Sequence, residues 1–377
     1  MESRRCAIVV TTIFPPQFLD GYVSNLRHYD RTASTEIIVI PDRKTPPSVY
    51  ERCAAHAAAG IRVVCPTLTE QEDFLRRFPS MHDRIPYDSD NRRNIGFLMA
   101  LDHGADVLIS IDDDNYCLDD SDFVGEHLHA GRTIPHEAVR SSDGWINLCQ
   151  LLRGDPSVEV YPRGFPYFAR GRSRSLEKGP EERRRVAINA GLWLTDPDVD
   201  AVTRLALRPR VDGHSGECWF LADDTWTPVN TQNTSIPRDA AAAYYYVRMG
   251  FSVGGLRIDR YGDILSGYFL QKCAKSRGET VRIGTPVADH RRTPHNLFKD
   301  LYHELAGMVL IDDLLPWLQQ IDLGEGTYRE LYARLATSLE ERSGAMRGFV
   351  WDEGGREFLR DTAAHMRSWL EAIAVIG

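Results

Sequence analysis

Three consecutive aspartates, Asp112, Asp113 and Asp114, are the residues whose type and spacing point most directly to chemistry. They follow the apolar run VLISI, so the pattern places three carboxylates at the end of a buried strand. Carboxylates this close repel and raise one another's pKa unless a cation or hydrogen bonds compensate. Oxygen ligands of this kind suit Mg²⁺ or Mn²⁺, which keep open positions for substrate phosphates. The triplet therefore predicts a Mn²⁺ or Mg²⁺ site, with a solvated turn or a helix cap as the alternative.

A histidine far along the chain is the candidate for a further ligand to this metal. His290 stands in the segment VADHRR after the strand-like residues 280–283, and His295 is a weaker rival. A lone histidine is more often a structural or surface residue, so the sequence alone leaves both interpretations open.

Residues near two other predicted elements could hold an anionic substrate. Arg92 and Arg93 open the predicted helix 92–103, where their charge adds to the helix dipole and favours a diphosphate. Asp42 follows the second predicted strand and could accept a hydrogen bond from a base or a ribose hydroxyl. Solvated helix caps and an ordinary turn are the respective alternatives.

Two further segments could present reactive side chains. Arg163 lies within PRGFP, whose prolines and glycine can hold a guanidinium in one pose, and Arg170 follows seven residues later. Asp263 in DRYGD precedes an apolar helical segment and could be a base, a nucleophile or a helix cap. A surface salt bridge for Arg163 and a cap for Asp263 are the commoner uses of such residues.

The first third of the chain shows alternating strand and helix patterns, and these elements are expected to position the residues described above. Short β-branched runs and helical patterns follow one another at 6–12, 18–29, 36–40, 49–59, 61–65, 92–103 and 106–111. This order predicts an α/β fold with a doubly wound, mostly parallel sheet. Ligands of such sheets bind at the carboxyl ends of the strands, where Asp42 and the aspartate triplet both fall.

The rest of the chain differs in character. Beyond about residue 145 it is rich in loops, and the charged stretch 170–185 predicts a solvated loop, with a lid over phosphates as the alternative. The sequence predicts a catalytic domain at 1–296 and a helical region at 297–377. Two apolar stripes in that region predict either core or a subunit interface, so a homo-oligomer is compatible with them: Tyr328, Leu331, Tyr332, Leu335 and Leu339, and then Phe358, Met366, Trp369, Leu370 and Ile373.

Composition narrows the partners and the compartment. The 377 residues carry a net charge of −9, which gives no overall basic surface for nucleic acid or an anionic membrane. The seven cysteines are scattered, as is typical of free thiols in a reducing cytosol, and no apolar run is long enough to span a membrane. We therefore expect a soluble cytoplasmic protein. Motifs typical of dinucleotide-binding dehydrogenases, P-loop kinases and α/β-hydrolases are missing from the sequence.

The order of the motifs resembles one known family. IDDDN, YPRGFPYFAR, AGLWLTDPDVDA, RYGDILSGY and the histidine in VADHRR succeed one another as in the reversibly glycosylated polypeptides, whose plant members include UDP-arabinopyranose mutases. The resemblance spans about residues 5–375, and AGLWLTDPDVDA is its most specific string. Asn115 in place of a cysteine and Gly262 in place of the first aspartate of a YDD-like segment are departures from the plant pattern.

This resemblance implies a GT-A-type fold and a divalent cation. It further implies an intramolecular transferase, a mutase that interconverts pyranose and furanose forms of a UDP- or GDP-linked sugar, with self-glycosylation of an arginine. The implied metal ligands are Asp112, Asp113, Asp114 and His290.

The resemblance also implies individual catalytic roles. Arg163 matches the glycosylated arginine, Arg170 its companion, and Asp263 a carboxylate of the YDD-like segment. Asp112 is expected to contact the bound nucleotide sugar together with the residues that the sequence itself proposes: Asp42, Arg92 and Arg93.

Two other functions fit the same residues. One is a retaining GT-A glycosyltransferase that passes the sugar to an external acceptor. The other is a non-catalytic nucleotide-sugar-binding protein that pairs with a partner through its helical region. Formation of product from the nucleotide sugar alone would separate the mutase from the transferase, and metal-dependent turnover by the purified chain would exclude the binding protein.

Overall fold

A large sheet organises the chain. The computed structural model describes residues 4–155 and 158–377, which form a 12-stranded sheet and a separate two-stranded one. The strands of these residues are β1 (Cys6–Thr12), β2 (Thr35–Pro41), β3 (Val63–Val64), β4 (Val107–Ile111), β5 (Asn115–Cys117), β6 (Thr133–Ser141), β7 (Leu152–Asp155), β8 (Leu176–Thr195), β9 (Arg210–His214), β10 (Trp219–Leu221), β11 (Asn233–Pro237), β12 (Phe251–Val253), β13 (Leu256–Ile258) and β14 (Thr280–His290).

Helices cover both faces of the sheet and dominate the end of the chain. In the described residues the α-helices are α1 (Gln17–His28), α2 (Pro47–Ala58), α3 (Leu68–Leu75), α4 (Pro79–His82), α5 (Arg93–Asp102), α6 (Phe123–His127), α7 (Ala201–Ala206), α8 (Gly262–Ser276), α9 (Leu297–Gln320), α10 (Tyr328–Ser343) and α11 (Glu353–Ile376).

The strand order is β3-β2-β1-β4-β11-β8-β6-β10-β14-β5, with β14 also paired to β8. The first four strands are parallel to one another, and the later strands add both antiparallel and parallel pairs. Alternate residues of β1 and β2 face two different hydrophobic clusters, one filled by α1 and α2 and the other by α5. Strands buried on both faces require continuous apolar runs, which is why these segments read as strands. The predicted α/β fold is confirmed.

The charged stretch 170–185 is where the structure departs from the sequence-based expectation of a loop. Residues 176–185 form the first half of β8 and pair antiparallel with β6 from Ser141↔Leu176 to Thr133↔Arg185. The two strands place charged and polar residues opposite one another, for example Arg140 opposite Glu177 and His136 opposite Glu182, instead of forming the apolar face that a strand pattern normally shows. This half of β8 has no hydrophobic alternation, so the periodicity could not reveal it.

The three C-terminal helices pack within the chain. The two predicted apolar stripes are buried, apart from Ile373, which is half-buried, and they belong to the same hydrophobic cluster as the sheet and α8. They therefore serve as core in this chain, while the division into domains at residue 297 stays a prediction. Of the helices in the described ranges, none combines the length and the apolar character that a membrane span requires.

A buried polar network ties α6 to the sheet. His127 contacts Ser235 Oγ through Nδ1 and Asn233 Oδ1 through Nε2, each at 2.9 Å. The side chain is fully enclosed, and burial lowers the pKa of His127 to about 3, from an ordinary value of 6.5. The folded state therefore holds His127 neutral between pH 6.5 and about 3, where the unfolded chain would protonate it.

This histidine makes folding stability depend on pH. Between pH 6.5 and about 3 the unfolded chain binds a proton that the folded chain does not, so stability falls as the pH falls. From pH 7 to pH 5 we expect His127 to cost about 2 kcal/mol in the free energy of unfolding. Urea unfolding at both pH values should show a correspondingly smaller loss for His127→Gln than for the wild type. His28→Gln, at an exposed position, should keep the wild-type loss.

Candidate active site

The register of three strands brings the predicted metal ligands together. β14 runs parallel to β8 and antiparallel to β5, so that His290 lies opposite Thr195 on one side and opposite Asn115 on the other. Asp114 directly precedes β5, and Asp196 directly follows β8. The histidine is thereby enclosed between the aspartate triplet and the segment TDPDVDA.

Asp114 and His290 face each other at this point. Asp114 Oδ2 lies 3.3 Å from His290 Nε2, and His290 is only 5% exposed. Burial lowers the pKa of His290, but Asp114 more than offsets this effect and raises the pKa overall. The pair is therefore held together by complementary charge in a largely dry environment.

The other ring nitrogen defines what this pair can bind. His290 Nδ1 contacts the backbone carbonyl of Asp196, and since a carbonyl oxygen only accepts, Nδ1 carries a proton. In the free protein a proton on Nε2 therefore lies between the ring and the carboxylate of Asp114, and a divalent cation that replaced this proton would meet the Nε2 lone pair and the carboxylate together. Metal-binding histidines typically donate their second N–H to a carbonyl in this way. Asp114 and His290 therefore fit a divalent cation.

The other two aspartates of the triplet form hydrogen bonds with residues other than His290. Asp112 Oδ1 accepts from Arg93 Nη2 at 2.6 Å, and Asp113 Oδ2 accepts from Thr12 Oγ1 at 2.5 Å. Burial raises the pKa of Asp113 to about 7. Among the described residues no three His, Cys, Asp or Glu side chains are grouped to hold a metal ion. Two protein ligands completed by substrate phosphates are, however, a usual arrangement for Mg²⁺.

Arg163 lies between two carboxylates. Its Nε and Nη2 donate to the two oxygens of Asp198 at 3.0 and 3.1 Å, while Nη1 and Nη2 donate to the two oxygens of Asp263 at 3.1 and 2.7 Å. The carbonyl of Arg260 also accepts from Nη1. Arg163 is 8% exposed, so the alternative of a surface salt bridge is excluded. The planar fork of arginine suits this double pairing, which a lysine cannot make.

The electrostatics of this triad favour the charged forms of Arg163 and Asp198. Burial lowers the pKa of Arg163, but Asp198 and Asp263 raise it well above its ordinary value. Burial likewise raises the pKa of Asp198, and Arg163 together with Asn230, which donates at 2.7 Å, holds it below its usual range. Asp263 is not a helix cap, because Tyr261 precedes α8 and the Asp263 carboxylate pairs with Arg163.

The segment TDPDVDA supplies the residues that sequence reasoning missed. Asp196 holds His290 by its carbonyl, and Asp198 holds Arg163 by its carboxylate. Asp200 caps α7 at Thr203 N, 2.8 Å away, and accepts from Arg170 Nη2 and from Tyr167 Oη. Three alternating aspartates immediately after a strand were the available signal.

Arg170 occupies a position next to this group. Its guanidinium lies 3.9 Å from the ring centre of Tyr167 and pairs with the fully buried Asp200. The residue thus connects the segment after PRGFP to the same aspartate-rich segment that holds Arg163. His295, the rival to His290, instead contacts Asp300 at 3.2 Å.

The residues predicted to bind the nucleotide sugar form two groups. Arg93 is buried and forms an ion pair with Asp112, and its Nη1 also donates to Thr231 Oγ1 at 2.7 Å. Arg92 is 1% exposed and lies 4.1 Å from the ring centre of Tyr87. Its Nε and Nη1 have no hydrogen-bond partner among the described residues. The buried Asp42, near Arg92, accepts from Arg43 N at 2.7 Å.

Gly164 allows Arg163 to reach its partners. Its φ of +87° belongs to the left-handed region, and a Cβ there would lie 2.4 Å from Ile264 Cγ2. We expect Gly164→Ala to lower the free energy of unfolding by about 2–4 kcal/mol, since it combines backbone strain with a clash in the core. Gly171 has a φ of +65° and open space around its Cβ position, so Gly171→Ala isolates the backbone strain alone. Equal losses for the two variants in chemical denaturation would show that the clash with Ile264 is relieved.

Comparison with known proteins places the chain in a family. UDP-arabinopyranose mutase 1 of Oryza sativa subsp. japonica is 27% identical over 52% of this chain and 56% of its own length. The Probable glycosyltransferase STELLO1 of Arabidopsis thaliana is 25% identical over the whole of this chain but only 45% of its own length. The chain thus spans about half the length of these relatives.

A solved structure also aligns with the chain. Glucosyl-3-phosphoglycerate synthase from Mycobacterium tuberculosis, in complex with Mn²⁺, UDP and phosphoglyceric acid, covers 85% of this chain and 80% of its own, with 13% identity and a TM-score of 0.40. The family model named "Reversibly glycosylated polypeptide" matches residues 67–373, a range that includes Asp114, Arg163, Asp198, Asp263 and His290. The resemblance found in the motifs is confirmed, and the chain belongs to the reversibly glycosylated polypeptide family.

Proposed function

We propose that this protein is a nucleotide-sugar mutase that interconverts the pyranose and furanose forms of a UDP- or GDP-linked sugar. The observation that carries the proposal is the buried triad of Arg163, Asp198 and Asp263. Asp198 stands two residues from the carbonyl that orients His290, so the charged triad and the Asp114–His290 pair form one continuous site. The similarity to UDP-arabinopyranose mutases supports the same function.

Ring contraction on a nucleotide sugar makes two demands on a site. The anomeric C–O bond must break while the nucleoside diphosphate stays in place, and the sugar must then open, reclose and be recaptured. Asp114 and His290 would hold a Mn²⁺ or Mg²⁺ ion, which when bound supplies positive charge to the diphosphate. Arg92, with two unpartnered N–H groups, and the neighbouring Asp42 would hold the nucleotide end of the substrate.

Arg163 would act on the sugar as a fixed cation. A guanidinium held by two carboxylates is protonated and is therefore a poor nucleophile in the free protein. Glycosylation of Arg163 requires a carboxylate to accept its proton, and Asp263 lies at 2.7 Å from Nη2 for this purpose. Asp263 is also the carboxylate that could capture the oxocarbenium carbon itself if Arg163 only guides it.

The burial of this site matters for the outcome of the reaction. Arg163, Asp198, Asp263 and His290 are each 9% exposed or less. Water that reached the anomeric carbon after its bond to the diphosphate breaks would release the free sugar, so a mutase needs such enclosure more than a transferase, whose acceptor must enter. The buried triad therefore favours the mutase over the retaining glycosyltransferase. The similarity to STELLO1 is the observation that supports the glycosyltransferase.

Incubation of the purified chain with Mn²⁺ and a panel of UDP- and GDP-sugars tests the proposal. We expect one donor to give an isomer of unchanged mass, separable by chromatography and distinguishable by NMR as the furanose form. Free nucleoside diphosphate without an isomer would contradict the mutase and indicate a transferase that lacks its acceptor. No reaction with any donor would instead favour a non-catalytic binding protein.

A further inference from the structure

A cavity lies at the other end of the parallel strands from the candidate active site. It has a volume of about 1180 Å³, and six arginines line it against two carboxylates, Asp106 and Asp239: Arg4, Arg5, Arg185, Arg238, Arg277 and Arg329. Such a concentration of positive charge is unusual in a protein whose net charge is −9. None of these residues takes part in the site described above.

Most of these arginines lack a charged partner. Arg185 and Arg277 pair with Glu279, at 3.0 and 2.9 Å, and Arg185 also pairs with Asp239 at 2.6 Å. Within residues 4–155 and 158–377, the guanidinium groups of the other four have no carboxylate within 4 Å. Arg238 donates to the carbonyl of Leu101 at 2.7 Å, and Arg5 reaches the carbonyl of His103 only at 3.5 Å.

The cavity also places these cations close enough to repel one another. Burial and the neighbouring Arg132 and Arg185 lower the pKa of Arg4. Several like charges around one cavity oppose folding unless an anion compensates them. Bidentate recognition of phosphate is the interaction for which arginine is best suited.

The position of the cavity separates it from the nucleotide-sugar site. Arg5 immediately precedes β1 and Asp106 precedes β4, whereas Thr12 and Asp112, at the other ends of these strands, belong to the candidate active site. A strand of seven residues such as β1 spans roughly 20 Å. Helix α5 connects the two, since Arg93 at its start pairs with Asp112 and Leu101 near its end lines the cavity.

We propose that this arginine-lined cavity binds a soluble anion carrying two or more phosphates, separately from the nucleotide-sugar site. Multiple phosphates match the number of unpaired guanidinium groups better than a single carboxylate does. Inorganic polyphosphate and the phosphate chain of a nucleoside triphosphate share this chemistry, so both serve as probes.

Isothermal titration of the full chain with inorganic tripolyphosphate tests the proposal. The titration is made at constant ionic strength and with a chelator present, so that a divalent cation does not recruit phosphates to Asp114 and His290. We expect saturable binding that weakens at least 10-fold in the double variant Arg5→Glu/Arg329→Glu. Both side chains are exposed and make little contact, so the variant should fold, which thermal unfolding checks.

The matched control is Arg27→Glu/Arg208→Glu, which makes the same charge change at exposed arginines elsewhere and should bind as the wild type does. A parallel titration with a nucleoside triphosphate should show the same loss in Arg5→Glu/Arg329→Glu, and tighter binding than tripolyphosphate would identify the nucleotide as the source. Two results would overturn the proposal: no saturable heat, or equal weakening in both double variants. Because no turnover is measured, these results are independent of the mutase assay.

Discussion

Arg163→Lys is expected to lower turnover of the nucleotide sugar at least about 100-fold, the order of loss when a fixed charge is removed from a reacting centre. A lysine ammonium is a point charge and cannot form two bonds to each of Asp198 and Asp263. The variant therefore leaves a buried carboxylate incompletely paired, and we expect the free energy of unfolding to fall by about 3–5 kcal/mol. Isomer formation and chemical denaturation, measured on the same preparation, check both effects.

The control for this substitution is Arg172→Lys, at an exposed arginine nine residues along the chain, which should leave both quantities unchanged. Full mutase activity in Arg163→Lys would refute a specific role for the guanidinium, including glycosylation of that residue. Wild-type stability with lost activity would show instead that the pairing with Asp198 and Asp263 serves the reaction rather than the fold.

Chelation of divalent cations is expected to abolish turnover, and Asp114→Asn to reduce it on the order of 100-fold or more, since even partners of metal ligands cost 10–100-fold when lost. Asparagine keeps the size of the side chain but removes the charge that faces His290 Nε2 at 3.3 Å. Direct titration of Mn²⁺, followed by electron paramagnetic resonance, should show weakened binding in Asp114→Asn.

Asp119→Asn provides the matched control, because it removes one negative charge from an exposed position five residues later. If Asp114→Asn bound Mn²⁺ as tightly as the wild type, the Asp114–His290 pair would be a charge pair of the fold and not a metal site. Unchanged turnover in chelator would refute metal dependence as a whole.

The aspartates after β8 show how the family motif works physically. The string TDPDVDA is the most specific part of the family resemblance, yet nothing in its sequence states which partner each carboxylate has. In the structure one carbonyl and two carboxylates of this segment hold His290, Arg163 and Arg170 in turn. A single segment thereby sets the relative positions of side chains from two distant parts of the chain.

The sequence by itself determined the elements and the ends of strands at which chemistry is placed. Continuous apolar runs predicted the parallel strands β1, β2 and β4, because strands buried on both faces have no polar alternative. The carboxylate triplet after β4 and the arginine in PRGFP could be identified because their residue types and immediate neighbours are distinctive. Residue type, hydrophobic periodicity and the positions of proline and glycine are properties of short segments, which can be recognised without knowledge of the fold.

Only the tertiary structure decided which of these residues meet. Arg163 pairs with Asp198, 35 residues away, and with Asp263, 100 residues away, and His290 meets Asp114 across 176 residues. The pairing of β14 with both β5 and β8 brings His290 to Asp114, and strand register over such a separation depends on the packing of the whole sheet. The charged half of β8 was misjudged for the same reason, since its partner β6 and not its own pattern makes it a strand.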